Sequence, residues 1–381
     1  MQQYEVIIIG AGASGIMCAL NTSQKTLLIE ASERVGKKIL ATGNGKCNIT
    51  NNHLDVKFYN TPLVAKYFAK FNQKQTLQYF ADLGIFTHFD DEGRRYPLSN
   101  SANTVLDILL KALSLKRNVT TMVNTVPLKI TKTQNGFSVA TQNQTFTCRK
   151  LVIATGGNSG MQYLQQLHVA YVDFKPSLVG LKTTRNKGLA GVRVSNVRVK
   201  FDRLFDEVGE ILFKEDGISG IVIFNLSAHL ARNHLRTGKV VIDLLANIES
   251  DVLLQMLQAS VANNPNYLLL DVVEGLLHKS LAKNLLEKLA LDKKVAKDST
   301  AQELRSLVNL IKNYVVEITG YADNHQVHAG GVDLCNLDEN LQHQHVPNLY
   351  LIGEVVNVDG VCGGYNLQWA WTSGKIVGEK F

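Results

Sequence analysis

No stretch of this 381-residue sequence is apolar for long enough to cross a membrane as a helix; the run Val6–Ile9 stops at Gly10. The N-terminus has no basic segment leading into an apolar one and no small-residue cleavage site, so a cytoplasmic protein is expected. The five cysteines (Cys18, Cys47, Cys148, Cys335 and Cys362) are odd in number and widely spaced, with no C-x-x-C among them. That speaks against a disulfide framework and a zinc site. The formal net charge is +7, yet no basic run of five or more occurs. A nucleic-acid-binding tract is therefore not expected, and an anionic small substrate or cofactor accounts for the balance as well. No internal repeat or low-complexity tract is visible. What remains is ordinary globular composition, 45% hydrophobic and 19% charged, long enough for two or three domains.

The first informative stretch is Tyr4–Ser32. Tyr4–Ile9 is a short β-rich apolar run of the kind buried on both faces of a sheet. Gly10-Ala-Gly12-Ala13-Ser14-Gly15 follows directly, then a helical pattern through Ile16, Met17, Ala19 and Leu20. A second apolar run, Thr26–Ile29, ends in Glu30 and Ala31. Gly10 allows the tight turn, Gly12 lets backbone approach a pyrophosphate, and Gly15 lets the helix pack close to the sheet. The helix N-terminus offers N–H groups and partial positive charge to the phosphates. Glu30, 20 residues after Gly10, is placed to accept ribose hydroxyls and disfavours a 2′-phosphate. Strand, glycine turn, helix, strand and acid together predict a dinucleotide site. No second G-x-G-x-x-G follows a strand, so a separate NAD(P) domain is not expected, and any NAD(P)H would bind elsewhere or act as a transient electron donor.

Two later strands complete the pattern. Arg149–Gly157 ends in Ala154-Thr155-Gly156, and Val346–Gly360 ends in Gly353-Glu354. This trio resembles the FAD module of the glutathione-reductase-like flavoproteins. The resemblance implies that the Ala-Thr-Gly strand returns to the dinucleotide and that Glu354 holds the ribityl chain. It also implies a cofactor domain assembled from both ends of the chain.

Lys37–Asn52, "KKILATGNGKCNITNN", shows neither helical period nor strand alternation. Gly43, Asn44 and Gly45 tolerate positive φ, and Arg34, Lys37, Lys38 and Lys46 offer charge to phosphate. The composition predicts a cofactor-wrapping loop, with Cys47 and Asn48 at its end, rather than a fold element. With "GEVVNVDGVCGGYNLQWAWTSGKIVGE" this block resembles a bacterial NAD(P)/FAD-dependent oxidoreductase family that includes aminoacetone oxidase and dehydro-bile-acid reductase relatives. "RRYPLSNSANTV" and "FKEDGISG" are similar to further blocks of the family. Lys214, Glu215 and Ile221 stand where the family usually has Thr, His and Pro, and Cys362 stands where Thr is common. The resemblance implies an FAD-dependent oxidoreductase acting on a small organic substrate, as oxidase or reductase. Two alternatives come from other classes: a folate- and FAD-dependent tRNA-modifying enzyme and a non-enzymatic flavin redox sensor.

The expected architecture is α/β, with a Rossmann-like FAD domain (1–173 and 321–381) interrupted by a β-rich insert (174–247) carrying a helical subdomain (248–320). Within it, Phe58–Phe80 and Asn103–Leu115 read as helices, Val119–Val139 as a small antiparallel excursion, and Gln302–Val316 as a helix capped from Asp298-Ser-Thr300. Such an insert would roof the flavin. Val126 lies where such folds put the adenine contact. Gly364, Asn366, Leu367 and Gln368 open the last helix, whose N–H groups can stabilise charge on reduced flavin. Candidate chemical groups are His328, Cys47, Cys362 and Tyr365. A redox pair of Cys47 and Cys362 needs Cα atoms within about 7 Å; the plainer reading is two small residues lining loops. His325, His328, His343 and His345 lie within 21 residues but share no evident metal frame. Arg94 and Arg95, beside Tyr96, either bind an anionic substrate group or stabilise their loop.

Overall fold

The computed structural model describes residues 2–184, 186, 188–323 and 327–381. The chain divides into two compact units, Met1–Lys175 with Val327–Phe381, and Pro176–Gln326.

The first unit is organised by a seven-stranded sheet. Val119–Met122, Thr26–Ile29, Gln2–Ile9 and Thr145–Ile153 lie side by side and parallel. Leu349–Leu351 adds in parallel to the far end of Thr145–Ile153, in register with Leu151–Ile153. A hairpin, Lys129–Thr133 with Gly136–Ala140, continues the sheet antiparallel. Continuous burial of Val6–Ile9, Leu27–Ile29 and Leu151–Ile153 shows why these strands carry no polar alternation: both faces are covered. The helix Ala13–Asn21 packs on the last helix, Tyr365–Glu379. Gly374 and Gly378 permit this contact, because a Cβ on either would press on the backbone of Ser14 or Cys18. The α/β class and the assembly of one Rossmann-like unit from both chain ends are as the sequence predicts.

The second unit is a closed barrel of Leu181–Thr183, Gly217–Ser219, Phe205–Lys214, Arg193–Phe201, Gly238–Asp243 and Tyr314–Tyr321. Helices Ser250–Asn263, Leu269–Glu274, Lys279–Lys288 and Ala301–Lys312 share a single apolar core with it. The barrel thus includes a strand that follows these helices, and the sequence boundary at 247/248 falls inside one unit.

Several local expectations need correction. Lys37–Asn52 contains a short helix, Lys37–Ala41, and a two-residue strand, Thr50–Asn51, flanking the glycine turn. Phe58–Phe80 is broken: Ala65–Phe68 and Gln73–Asp82 are separate helices, the second started by an Asn72–Gln75 capping box. Val119–Met122 belongs to the parallel sheet rather than to the antiparallel excursion. The Thr300-capped helix stops at Lys312, and Tyr314–Tyr321 is a strand, because its alternating burial closes the barrel. Among the described residues no helix is long and apolar enough to cross a membrane.

Candidate functional site

The glycine turn joins the first strand to its helix at the C-terminal edge of the parallel sheet. Gly10 has φ +101° and its N–H donates to Ile29 O at 2.8 Å. A side chain here would strike the backbone of Ala154 and Thr155, so the residue must be glycine on both counts. A Cβ on Gly15 would strike the Gly10 carbonyl and stand 3.4 Å from the Ala154 Cβ. Gly12, the helix N-cap, faces open space: nothing lies within 4 Å of where its Cβ would stand. No side chain caps this helix, so its first N–H groups, from Ala13 and Ser14, are left to a ligand.

Glu30 is fixed by the loops it joins. One carboxylate oxygen accepts the Ala11 N–H at 2.9 Å, and the other accepts the Ser32 N–H at 2.9 Å and the Ser32 hydroxyl at 2.8 Å. The oxygen bonded to Ala11 retains lone-pair capacity. The Glu30 carbonyl accepts from Thr125 N, which brings the half-exposed Val126 beside this acid, with Ala31 exposed next to it.

At the end of Thr145–Ile153, the Ala154 N–H donates to Ile9 O at 2.8 Å. The Thr155 hydroxyl is buried, with no hydrogen-bond partner among the described residues. A Cβ on Gly156 would stand 3.6 Å from both Lys38 Nζ and Glu354 Oε2. Those two groups form an ion pair at 2.9 Å. Glu354 Oε1 also accepts from the His328 backbone N–H at 2.6 Å and lies 2.8 Å from His328 Nδ1. Burial would push the Glu354 carboxyl up; Lys38 and His328 outweigh it and hold it at about 2. Glu354 is therefore a carboxylate at all ordinary pH values. Gly353 donates to Ser373 Oγ at 3.0 Å and accepts from Trp369 Nε1 at 3.0 Å, which puts Trp369 in the core behind the turn.

The third wall is the Lys37–Asn52 turn. Gly43, Asn44, Gly45 and Cys47 all have positive φ, between +55° and +82°. Asn48 ties this turn to the last helix: its amide nitrogen donates to Thr50 O at 2.9 Å and its oxygen accepts the Gly364 N–H at 3.0 Å. Gly364 is that helix's N-cap, and the N–H groups of Asn366 and Leu367 fall in its first turn.

The structure thus gathers Gly10, Gly12, Ala13, Ser14, Gly15, Glu30, Ala154, Thr155, Gly156, Gly353 and Glu354 along one edge of the sheet, with Lys38 reaching into it. Two assignments are corrected. Gln368 is committed inward: its N–H bonds Gly364 O, and its buried amide bonds Thr50, Thr76 and Thr372. Tyr365 donates its hydroxyl to His53 O at 3.3 Å and packs on Phe58 and Tyr59, and burial pushes its phenol up to about 12. The Asn366 side chain clamps Gly360 through two hydrogen bonds, leaving only its backbone toward a ligand. Burial pushes the Cys47 and Cys362 thiols up, to about 12 and about 11. Arg94 is held by Asp90 and Glu92, and Arg95 by Asn52 and the Phe89 ring, the loop-stabilising alternative. His343 Nδ1 accepts from the backbone of His345 and Val346. His325 lies outside the described residues, among which no cluster suited to a metal ion occurs. Sequence reasoning missed the Lys38–Glu354–His328 array, whose members are far apart in the chain, and the placement of Tyr96 against Gly43.

An open Gly12, uncapped helix N–H groups and an orphaned Thr155 hydroxyl fit a dinucleotide's phosphates and sugars. The class that this fold and site define is the FAD-dependent oxidoreductases. The profile of the HI0933-like protein Rossmann domain matches residues 4–380, and the chain belongs to that family. It is 33% identical to the 3-dehydro-bile acid delta(4,6)-reductase of Clostridium scindens, over 98% of this chain and 97% of that protein. It is 29% identical to the ribosomal RNA dihydrouridine synthase of Escherichia coli, over 98% and 96%. Among solved structures, E. coli quinol fumarate reductase has the same fold, with TM-score 0.50 and 14% identity over 100% of this chain and 70% of that one.

Proposed function

We propose that this protein is an FAD-dependent reductase that saturates a carbon–carbon double bond conjugated to a carbonyl in a small organic substrate. The observation that carries this reading is a chemistry common to two relatives that match nearly the whole chain. A Δ4,6 bond pair in a 3-dehydro bile acid is conjugated to the 3-oxo group, and the uracil double bond lost in dihydrouridine is conjugated to a ring carbonyl. Hydride and proton addition across such a bond is one reaction in both.

FAD supplies the hydride chemistry when bound. The chain's own residues bind and orient it. Ala13 and Ser14 N–H groups meet the pyrophosphate, with Gly12 allowing its approach and Lys38 adding charge. Glu30, with Ala31 and Val126 beside it, takes the adenosine end. Thr155, Gly156 and Glu354 serve the ribityl side. Gly43–Asn48, Gly364, Asn366 and Leu367 would frame the ring system, with the helix N-terminus placed to offset negative charge there. The electron donor in this reading is NAD(P)H, reducing the flavin transiently rather than occupying a domain of its own.

A small substrate is favoured over RNA by the higher identity to the bile-acid reductase, 33% against 29%. The test is anaerobic reduction of the holoenzyme with NADPH or NADH, followed by mixing with a 3-oxo-4,6-diene bile acid or with ribosomal RNA. Reoxidation by the dienone supports the proposal. Reoxidation by RNA alone would move the substrate to nucleic acid, and bleaching reversed only by oxygen would make the protein an oxidase.

A further inference from the structure

We propose that Tyr96 is the acid that delivers the proton to the α-carbon of the conjugated double bond; this rests on the reductase reading above. The Tyr96 ring stands against the turn that frames the ring system: the place of a Cβ on Gly43 is 3.1 Å from Tyr96 Cε1 and 2.8 Å from Asn48 N. Asn48 in turn holds the Gly364 N–H at the start of the last helix. Tyr96 sits on the strand Arg94–Pro97, which pairs with Thr50–Asn51 on one side and Thr87–Phe89 on the other. The phenol is thus carried on a sheet that is hydrogen-bonded to the turn, so its position is set by backbone.

Its hydroxyl makes no hydrogen bond among the described residues, unlike those of its neighbours in the unit. Tyr59, Tyr67 and Tyr365 donate to the carbonyls of Tyr365, Asp338 and His53. The groups facing Tyr96 are otherwise engaged. His88, whose ring centroid is 6.0 Å away, bonds Asn100 through Nε2. Arg94 is held by Asp90 and Glu92, and burial keeps the Cys362 thiol protonated. Burial raises the Tyr96 phenol above its usual range, Arg94 pulls it down, and Asp90, Cys362 and Glu92 push it up. It is neutral at physiological pH, the form a proton donor needs.

The face of the small sheet suits an apolar carbonyl compound. His88 and Tyr96 share one side, and Phe89 and Arg95 the other. By the same alternation Phe86 and Leu98, joined by a backbone hydrogen bond and 62% and 63% exposed, lie on the Tyr96 side. An apolar shelf therefore adjoins the phenol.

The step balances as follows. Two-electron-reduced FAD would supply the hydride that adds to the β-carbon. The electron pair of the double bond forms a C–H bond at the α-carbon with the proton from Tyr96 Oη. The cofactor is left oxidised, the substrate reduced by two electrons, and water returns a proton to the tyrosinate.

The test is Tyr96→Phe in the FAD-loaded protein, reduced anaerobically with dithionite and mixed with a 3-oxo-4,6-diene bile acid in H₂O and D₂O. The variant's reoxidation by the dienone is expected to slow by about 10²–10⁴-fold. Its FAD content, its reoxidation by oxygen, and dienone affinity for the oxidised form, read from the dienone absorbance, should match the wild type. The wild-type rate should show a solvent isotope effect and fall as pH rises through the phenol's titration; the variant should be flat. A variant within about threefold of wild type, or one whose slower rate tracks weaker dienone binding, overturns the acid role while leaving the reductase reading intact. A wild-type enzyme inert to the dienone removes that reading, and the role of Tyr96 with it.

Discussion

Replacing Glu354 with glutamine gives the sharpest check on the electrostatics of the site. The carboxylate is a fifth exposed and held by Lys38 at 2.9 Å and by two His328 nitrogens at 2.6 and 2.8 Å. These partners take it from its ordinary 4.5 to about 2. At about 1.36 kcal/mol per unit, that shift corresponds to ~3 kcal/mol. Lys38 is 56% exposed, so solvent and salt screen part of it, and about 2 kcal/mol is expected at pH 7. Glutamine still offers an oxygen to the His328 N–H, so the variant orphans no buried donor. The folded value lies below the unfolded one. The stabilisation is therefore whole above pH 4.5 and disappears as pH falls toward about 2. Urea unfolding followed by tryptophan fluorescence measures it cleanly, because the chain's two tryptophans, Trp369 and Trp371, are both buried in the last helix of the first unit. Wild type should exceed the variant by about 2 kcal/mol at pH 7 and by little near pH 2.5, with a smaller gap in 1 M salt. Equal stability at pH 7, or a gap unchanged by acid, would refute the assignment.

Thr155→Val removes a buried hydroxyl that has no partner among the described residues; the FAD-free protein should keep or gain up to about 1 kcal/mol, while flavin-fluorescence titration should show FAD binding weakened about tenfold. Gly374→Ala sets a methyl 2.9 Å from the Met17 Cβ and 3.2 Å from Cys18 N. Overpacking of about 1–3 kcal/mol outweighs a helix-propensity gain of about 1, so Tm should fall and FAD affinity with it. Iodoacetamide at pH 8 should label the exposed Cys335 and leave Cys47 and Cys362 slow, since burial raises both thiols. Rapid modification of that pair, read by peptide mass, would restore a redox role for it.

The dinucleotide half of the site was legible because its logic is local. Gly10, Gly12, Gly15 and Glu30 fall within one strand–turn–helix–strand unit, where spacing alone implies geometry. Glu354 could be flagged by its block, but not its partners: Lys38 and His328 lie 316 and 26 residues away, and no local pattern encodes such a meeting. Gln368 and Tyr365 misled for a related reason. Their place at a helix start suggested outward-facing roles, yet a helix presents every face within one turn, and theirs turned to the core. The helical reading of Gln302–Val316 runs into the strand Tyr314–Tyr321 because the preceding apolar period is helical. Only closure of the barrel with Leu181–Thr183 separates the two.

The pairing of Leu349–Leu351 with Leu151–Ile153 bears on how the chain is made. At synthesis rates of about 5–20 residues per second, the intervening Pro176–Gln326 unit takes on the order of 10–30 s to emerge. During that interval the far end of Thr145–Ile153 lacks its neighbour, and the Ala13–Asn21 helix lacks the glycine-lined partner it packs on. An open parallel edge of this kind is an aggregation hazard. Pro176–Gln326 has an apolar core of its own, and its collapse in that interval would take most of the intervening chain out of the search by which the late strand finds its place. The cofactor cradle thus matures last, though its first half is translated first.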